Sequence, residues 1–218
     1  MSLVVKICGL STPETVDAAL DAGADMLGFV FFAGSPRNVS IAHAKTFAAR
    51  ARGRAGIVAL TVDPEDAFLR GIVEGFAPDM IQLHGSEPTD RVAAIRATFG
   101  LPVMKALPVS GRGDLDRVDR YAEVADRILF DARPPKDASR PGGHGVPFDW
   151  HLLEDLRLGV PYMLSGGLTP DNVAQALAVT GAPGVDVSSG VERAPGVKDP
   201  AKIRAFVKAA RAAVRKAA

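Results

Sequence analysis

"KICGLSTPE", residues 6–14, decides between two ways of building a protein from βα units. A short apolar run, begun at Leu3, gives way to Cys8, Gly9 and Leu10 and then to Ser11-Thr12-Pro13-Glu14. A doubly wound dinucleotide-binding sheet would place G-x-G-x-x-G after its first strand, where glycines open a tight turn over a pyrophosphate. No such fingerprint stands here, and a helix start follows instead. Ser, Thr or Asp just before a proline caps free N–H groups, and proline at the first helical position loses nothing, because its missing N–H would be unpaired there. Ser11 with Glu14 matches a capping box.

The same pattern recurs along the chain. "LVVKI", "MLGFVF", "GIVAL", "DMIQL", "LPVMKAL", "RILFD", "VPYML" and "GVDVS" are short β-branched or apolar runs whose starts fall roughly 22 to 33 residues apart, the length of a strand, a helix and two loops. "VDPED", "LTPDN" and "KDPAK" mark further helix starts. Eight strands and eight helices in 218 residues predict a (β/α)₈ barrel, read as one domain over residues 1–218, since no Ser/Gly-rich linker or charge block divides it. In the last segment Ile203, Phe206, Val207, Ala210 and Val214 form one apolar stripe, with Lys208, Arg211 and Arg215 on a solvated face.

Twenty-six basic residues against 25 acidic ones leave a net charge of +1, which gives no general attraction to nucleic acid or to an anionic membrane. A bound anion needs a local site. The single cysteine excludes an internal disulfide and a cysteine-cluster metal site. "MSLVVKICGL" has too short an apolar run for a signal peptide, no later run is long enough to span a bilayer, and the chain reads as cytoplasmic. His43, His84, His144 and His151 are scattered without ligand spacing, so no metal is expected. The alanine-rich outer helices are compatible with a monomer or a homodimer.

In a (β/α)₈ barrel, chemistry sits at the C-terminal ends of the strands and in the loops that follow. Cys8 lies at such an end. Two of these loops are long, "FFAGSPRNVS" (31–40) and "DARPPKDASRPGGHGVPF" (131–148), and the second reads as a lid whose Gly142, Gly143 and Gly145 either hinge it or let backbone approach a ligand. "SGGL" (165–168) and "VSSGVE" (187–192) follow strands 7 and 8, where backbone N–H groups often cradle phosphate. Gly166, Gly167, Ser188, Ser189 and Gly190 are therefore the candidate phosphate-binding residues, and the expected partner is a small phosphorylated substrate.

"KICGL", "GADMLGFVFFAGSPRNV", "IQLHGSE", "LFDA", "GGHGVPFDW", "LSGGLTPDNV" and "GVDVSSGVERAPGVKD" together resemble the phosphoribosylanthranilate isomerase family, in order from Lys6 to Asp199. The resemblance implies a (β/α)₈ enzyme of tryptophan biosynthesis. It also implies a cofactor-free Amadori rearrangement of N-(5-phosphoribosyl)anthranilate to the 1-deoxyribulose 5-phosphate. One acid protonates the ribose ring oxygen, and one base takes the C2′ proton.

By the resemblance the base falls on Cys8 and the acid on Asp131. Cysteine acts as a base only as thiolate, and Lys6, two residues away on the same strand face, is expected to bring its pKa toward neutrality. Asp131 ends an apolar strand, where burial favours the protonated form. The resemblance places a substrate-binding arginine at Arg37, whose guanidinium suits the anthranilate carboxylate. Gln82 and His84 alternate on strand 4 and line the pocket, His84 being a rival base. Asp186 either hydrogen-bonds the substrate or orders a loop. Departures from the family pattern are His144 in "GGHG" and Ser165 in "LSGGL".

Other readings of the scaffold leave different marks. A histidine-pathway sugar isomerase would use two aspartates, a Schiff-base aldolase would need Lys6 or Lys105 as nucleophile, and a phosphate-binding protein would need no acid and base.

Overall fold

The structure is a computed structural model and describes residues 3–133, 147–154 and 156–217. The eight apolar runs form eight parallel strands: β1 (Val4–Cys8), β2 (Met26–Phe31), β3 (Gly56–Thr61), β4 (Met80–Leu83), β5 (Val103–Val109), β6 (Arg127–Ala132), β7 (Tyr162–Leu164) and β8 (Gly184–Val187). They close into a barrel in sequence order, with β1 hydrogen-bonded to both β2 and β8. Both faces of every strand are covered, which is why the strands read as continuous apolar runs rather than alternating ones.

Side chains alternate between barrel interior and helix side. Met104, Ala106, Leu129 and Met163 fill the interior with Val4, Met26 and Met80, and nearer the C-terminal ends Cys8, Val30 and Leu60 pack together. Val5, Ile7, Leu27, Phe29 and Ile57 face outward into the core shared with the helices. This alternation puts Lys6 with Cys8, and Leu129 with Asp131, on inward-facing positions.

The helices are α1 (Pro13–Asp21), α2 (Ile41–Ala51), α3 (Asp66–Phe76), α4 (Thr89–Phe99), α5 (Val118–Ala122), α6 (Val173–Thr180) and α7 (Pro200–Ala217). Among the described residues there are thus seven α-helices rather than the eight expected; the described part of the β6–β7 connection holds a 3₁₀ turn, Trp150–Leu153, and the Asp149 side chain accepts the His151 N–H. The glycines of the expected lid, Gly142, Gly143 and Gly145, lie outside the described residues, as does His144.

Three helix-start readings need correction, one of them at "LTPDN", where α6 begins at Val173 behind Asn172 and not at Pro170 behind Thr169. Thr12, not Ser11, caps α1, accepting from the Thr15 N–H at 3.3 Å. Pro13 takes the first helical position, so the cap must be the residue immediately before it and Glu14 falls one place short of the capping-box position. Asp63 caps nothing: α3 begins only at Asp66, and Asp63, at φ +43°, turns its carboxylate to the Ser86 N–H at 2.7 Å. Asp199 does cap α7, accepting from Ala201 and Lys202.

Along α7, Ile203, Phe206, Val207 and Ala210 are buried, while Val214 is among the exposed apolar side chains. Lys208 is exposed, but Arg211 is not simply solvated: it reaches over the helix to donate to Gly23 O at 3.0 Å and to the Asp25 carboxylate at 2.6 Å. It thereby ties the last helix to the entry of β2. The side chain of Arg215 lies outside the described part. No helix among the described residues is long and apolar enough to cross a membrane. Between β8 and α7 the chain makes a small antiparallel hairpin, β9 (Glu192–Ala194) and β10 (Val197–Lys198).

Lys105 stands between inward-facing Met104 and Ala106, so it points to the helix side of the sheet, and its ammonium is met there by Glu87 at 2.7 Å and Gly85 O at 2.8 Å. Glu87 in turn accepts the N–H groups of Asp63 and Gly85, fastening the loops after β3 and β4 to β5. Burial pushes the Lys105 ammonium below its ordinary pKa, against the pull of Glu87. Removing one partner of such a pair strands a buried charge. Glu87→Ala should therefore cost about 3–5 kcal/mol in urea denaturation, and combining it with Lys105→Met should recover most of that loss.

Candidate active site

At the mouth of the barrel, β1 contributes Lys6 and Cys8. Lys6 is fully buried and donates to Asp186 Oδ1 at 2.9 Å, its register partner on β8. Beside them, Gly28 of β2, the register partner of Cys8, leaves the necessary space: a Cβ there would lie 2.8 Å from Cys8 Sγ and 3.1 Å from Lys6 Nζ. Burial alone would push the Lys6 ammonium down, but the Asp186 carboxylate and the thiol beside it hold it above its ordinary pKa.

For Cys8 the balance runs opposite to the sequence expectation. Burial raises the thiol pKa, and the positive charges of Lys6 and Lys198 do not offset it, partly because Asp186 opposes them. Lys6 is where the sequence placed it, on the same strand face. Its charge is already committed to Asp186, however, and burial is the larger effect.

Across the mouth, Asp131, next to last in β6, has 6% of its surface exposed. One carboxylate oxygen accepts the Ala132 N–H at 3.0 Å, and the other meets His84 Nε2 at 3.1 Å. His84 Nδ1 in turn lies 3.1 Å from the side-chain amide nitrogen of Gln82, whose carbonyl oxygen is buried without a partner. Gln82, His84 and Asp131 form one chain of side chains: Gln82 and His84 share a face at the end of β4, as the sequence suggested, and Asp131 reaches them from β6.

Arg37, in the loop after β2, is buried and clamped by Glu192. Its Nε donates to Oε1 at 2.6 Å and its Nη2 to Oε2 at 2.9 Å. Lys198, also buried, donates to the same Oε1 at 2.7 Å and to Ser188 O and Oγ. Burial pushes the Lys198 ammonium down to about 8 despite Glu192, while Arg37 and Lys198 together hold the Glu192 carboxyl below its usual range against burial. Sequence reasoning gave neither Glu192 nor Lys198 a role. Both stand in "VERAPGVKD", an acid and a lysine flanking a Pro-Gly turn, which is the signature of a hairpin pair.

The loops after β7 and β8 are pressed together. Gly166 and Gly167 adopt φ +83° and +66°, and a Cβ on Gly166 would lie 2.4 Å from the Ala132 nitrogen. A Cβ on Gly190 would lie 1.8 Å from Leu168 O, so no larger residue fits between the loops. Ser188 precedes a 3₁₀ turn, Ser189–Val191, and its hydroxyl donates to Cys8 O at 3.1 Å. Ser165 is buried at the end of β7. Of the site residues predicted from sequence, Cys8, Arg37, Asp186 and Ser188 thus share the β1–β8 side, and Gln82, His84 and Asp131 the β4–β6 side. Lys105, the alternative nucleophile, faces the helices. Among the described residues no three His, Cys, Asp or Glu side chains gather as a metal site would need.

Residues 5–209 match the family described as N-(5'phosphoribosyl)anthranilate (PRA) isomerase. The N-(5'-phosphoribosyl)anthranilate isomerase of Nitrobacter hamburgensis is 62% identical over 213 residues, 98% of this chain and 95% of that protein. Among solved structures, phosphoribosyl anthranilate isomerase from Thermotoga maritima is 34% identical and superposes with a TM-score of 0.85, over 96% of this chain and 99% of that one. A second, of phosphoribosyl anthranilate isomerase in complex with reduced 1-(o-carboxyphenylamino)-1-deoxyribulose 5-phosphate, is 33% identical with a TM-score of 0.81 over the same shares.

A thiol raised by burial has a direct signature. Alkylation of Cys8 by iodoacetamide in the free protein should rise with pH through a midpoint above the ordinary thiol value, since the folded state holds the proton longer. A midpoint below that value, read by mass spectrometry across a pH series, would reverse this balance of burial over charge.

Proposed function

The chain belongs to the N-(5'-phosphoribosyl)anthranilate isomerase family and is an isomerase of tryptophan biosynthesis, and on that premise we propose that it performs the Amadori rearrangement with Cys8 as general base and Asp131 as general acid. The observation that carries this reading is the placement of both side chains on inward-facing positions at the C-terminal ends of β1 and β6. There the products of (β/α)₈ loops meet substrate.

Asp131 gives its proton to the furanose ring oxygen. The C1′–O bond then breaks as the anilino nitrogen lone pair forms C=N, leaving a cationic Schiff base. The carboxyl proton can be stored on Asp131 Oδ2 facing a neutral His84, whose Nδ1–H then points at Gln82. Turning the Gln82 amide by half a rotation pairs that N–H with the carbonyl oxygen that is otherwise unpartnered. The buried orphan is thus satisfied in the protonation state the acid requires.

Cys8 removes the C2′ proton, and the electron pair flows to the Schiff-base nitrogen to give an enolamine. Protonation at C1′ and loss of the 2′-hydroxyl proton complete the ketone. A thiol raised in the free enzyme becomes the base here because the Schiff-base cation brings positive charge beside it and favours the thiolate. The ionised Lys6–Asp186 pair fixes the polar wall under the thiol.

The remaining groups bind. With Nε and one N–H of Nη2 spent on Glu192, Arg37 keeps its Nη1 edge for the anthranilate carboxylate. The backbone N–H groups of Gly166, Gly167, Ser188, Ser189 and Gly190 receive the phosphate. Gln82 and Asp186 border the ribose.

The test is the loss of anthranilate-type fluorescence from freshly made phosphoribosylanthranilate. The wild-type protein should consume it well above spontaneous breakdown. Cys8→Ala and Asp131→Asn should each lower kcat by about 10²–10⁴-fold while KM changes little, because each acts mainly in the transition state. Arg37→Ala should instead raise KM. Wild-type turnover in the Cys8 variant would move the base elsewhere, with His84 next in line.

A further inference from the structure

The clamp on Arg37 is more elaborate than a substrate arginine needs for mere retention. The Glu192 carboxylate takes four donors: Arg37 Nε and Lys198 Nζ on one oxygen, Arg37 Nη2 and the Gly196 N–H on the other. Every side chain in the trio is buried, at 5% exposure for Arg37, 8% for Glu192 and 4% for Lys198. The arginine stem is fixed as well. It crosses the end of β1 where Gly9, at φ +77°, has no side chain, and a Cβ there would lie 2.6 Å from Arg37 Cδ. The hairpin turn rests on the same loop from the other side: Gly196, at φ +80°, sits where a Cβ would lie 2.6 Å from Pro36 O.

Charge adds a second argument. Arg37 and Glu192 alone would be a neutral pair with little to offer an anion. Lys198 makes the buried trio net positive by one charge, so a carboxylate arriving at the free guanidinium edge meets an unbalanced cation rather than a satisfied salt bridge. Lys198 also donates to Ser188 O and Oγ, and the Ser188 hydroxyl donates to Cys8 O. The same lysine therefore couples the arginine to the strand end that carries the thiol.

We propose that the β9–β10 hairpin is the device that confers selectivity for a carboxylate-bearing substrate, with Glu192 and Lys198 as positioning residues that aim Arg37 and keep its surroundings net positive. The inference rests on Arg37 being the carboxylate partner. It adds that a guanidinium without this hairpin would not discriminate. A purely structural role for the trio would impair every substrate alike, whereas a positioning role penalises the one with the carboxylate.

The experiment measures kcat/KM for N-(5-phosphoribosyl)anthranilate and for N-(5-phosphoribosyl)aniline, which lacks the carboxylate, in the wild type and in Arg37→Ala, Glu192→Gln, Glu192→Asp and Lys198→Met. The wild type should prefer the anthranilate compound, and Arg37→Ala should abolish the preference. Glu192→Gln and Lys198→Met should each lower kcat/KM for the anthranilate compound at least tenfold more than for the aniline compound, mostly through KM. Glu192→Asp keeps the charge but shortens the reach, and it should lose part of the preference, which serves if Glu192→Gln fails to fold by circular dichroism. Equal losses on both substrates in the folded Glu192 and Lys198 variants, with the preference gone in Arg37→Ala, would overturn the positioning role alone. A preference that survives Arg37→Ala would overturn the arginine assignment and this inference with it.

Discussion

The parallel pairing of β1 with β8 is the constraint on which the mouth of this barrel depends. Four register pairs, from Val4 with Gly184 to Ile7 with Val187, join strands from opposite ends of the sequence. Closure brings Lys6 to Asp186 and Ser188 to the carbonyl of Cys8, each contact spanning 180 residues. Without it the thiol would end an open edge strand, and the loops after β7 and β8 would have no fixed relation to it. The pairing is possible because small residues stand where the interior is crowded, Gly184 against Met163 and Gly28 beside Cys8 and Lys6. Closed in this way, the sheet also has no unpaired edge to protect.

Above an apolar interior, the mouth of the barrel gathers buried charged side chains, and their burial governs the chemistry more than net charge does. Lys6–Asp186 and Arg37–Glu192–Lys198 are ion pairs from which water is nearly excluded. Such pairs add little to stability relative to apolar packing, because their attraction is set against desolvation, but they fix orientation closely. The same desolvation raises the thiol of Cys8 and lowers the ammonium of Lys198. On the proposed assignment of Cys8 as base, the thiol keeps its proton until a substrate cation stands next to it, which would confine proton abstraction to the ring-opened substrate.

All eight strands were legible as runs of β-branched and apolar residues, because burial on both faces removes the alternation that would have blurred them. Helix starts were legible only where the proline itself begins the helix, as at Pro13 and Pro200. At Asp63-Pro64 a tertiary contact with the Ser86 N–H claimed the aspartate, and no local rule can show that. The described part of the connection from β6 to β7 holds a 3₁₀ turn, where the sequence reading expected a helix. For the site, Cys8, Asp131, Arg37 and the glycine and serine loops stand at strand ends and could be named from position and resemblance. Glu192 and Lys198 could not, because their meaning comes from a hairpin folded onto a loop some 155 residues away in the sequence. The direction of the thiol shift was also hidden. A lysine two residues away is visible in a sequence, but the aspartate that occupies it and the depth of burial are not.

The assignment of two separate proton transfers to two separate side chains is tested most directly by the kinetic isotope effect on kcat/KM with substrate deuterated at C2′. Weakening the base should make removal of that proton more fully rate-limiting, so the effect should grow in Cys8→Ser. Weakening the acid slows ring opening before the deuterated bond is touched, so in Asp131→Asn it should shrink toward one. An isotope effect that grows with the aspartate variant and not with the cysteine variant would exchange the two roles, and one that responds to neither would remove both residues from the proton transfers.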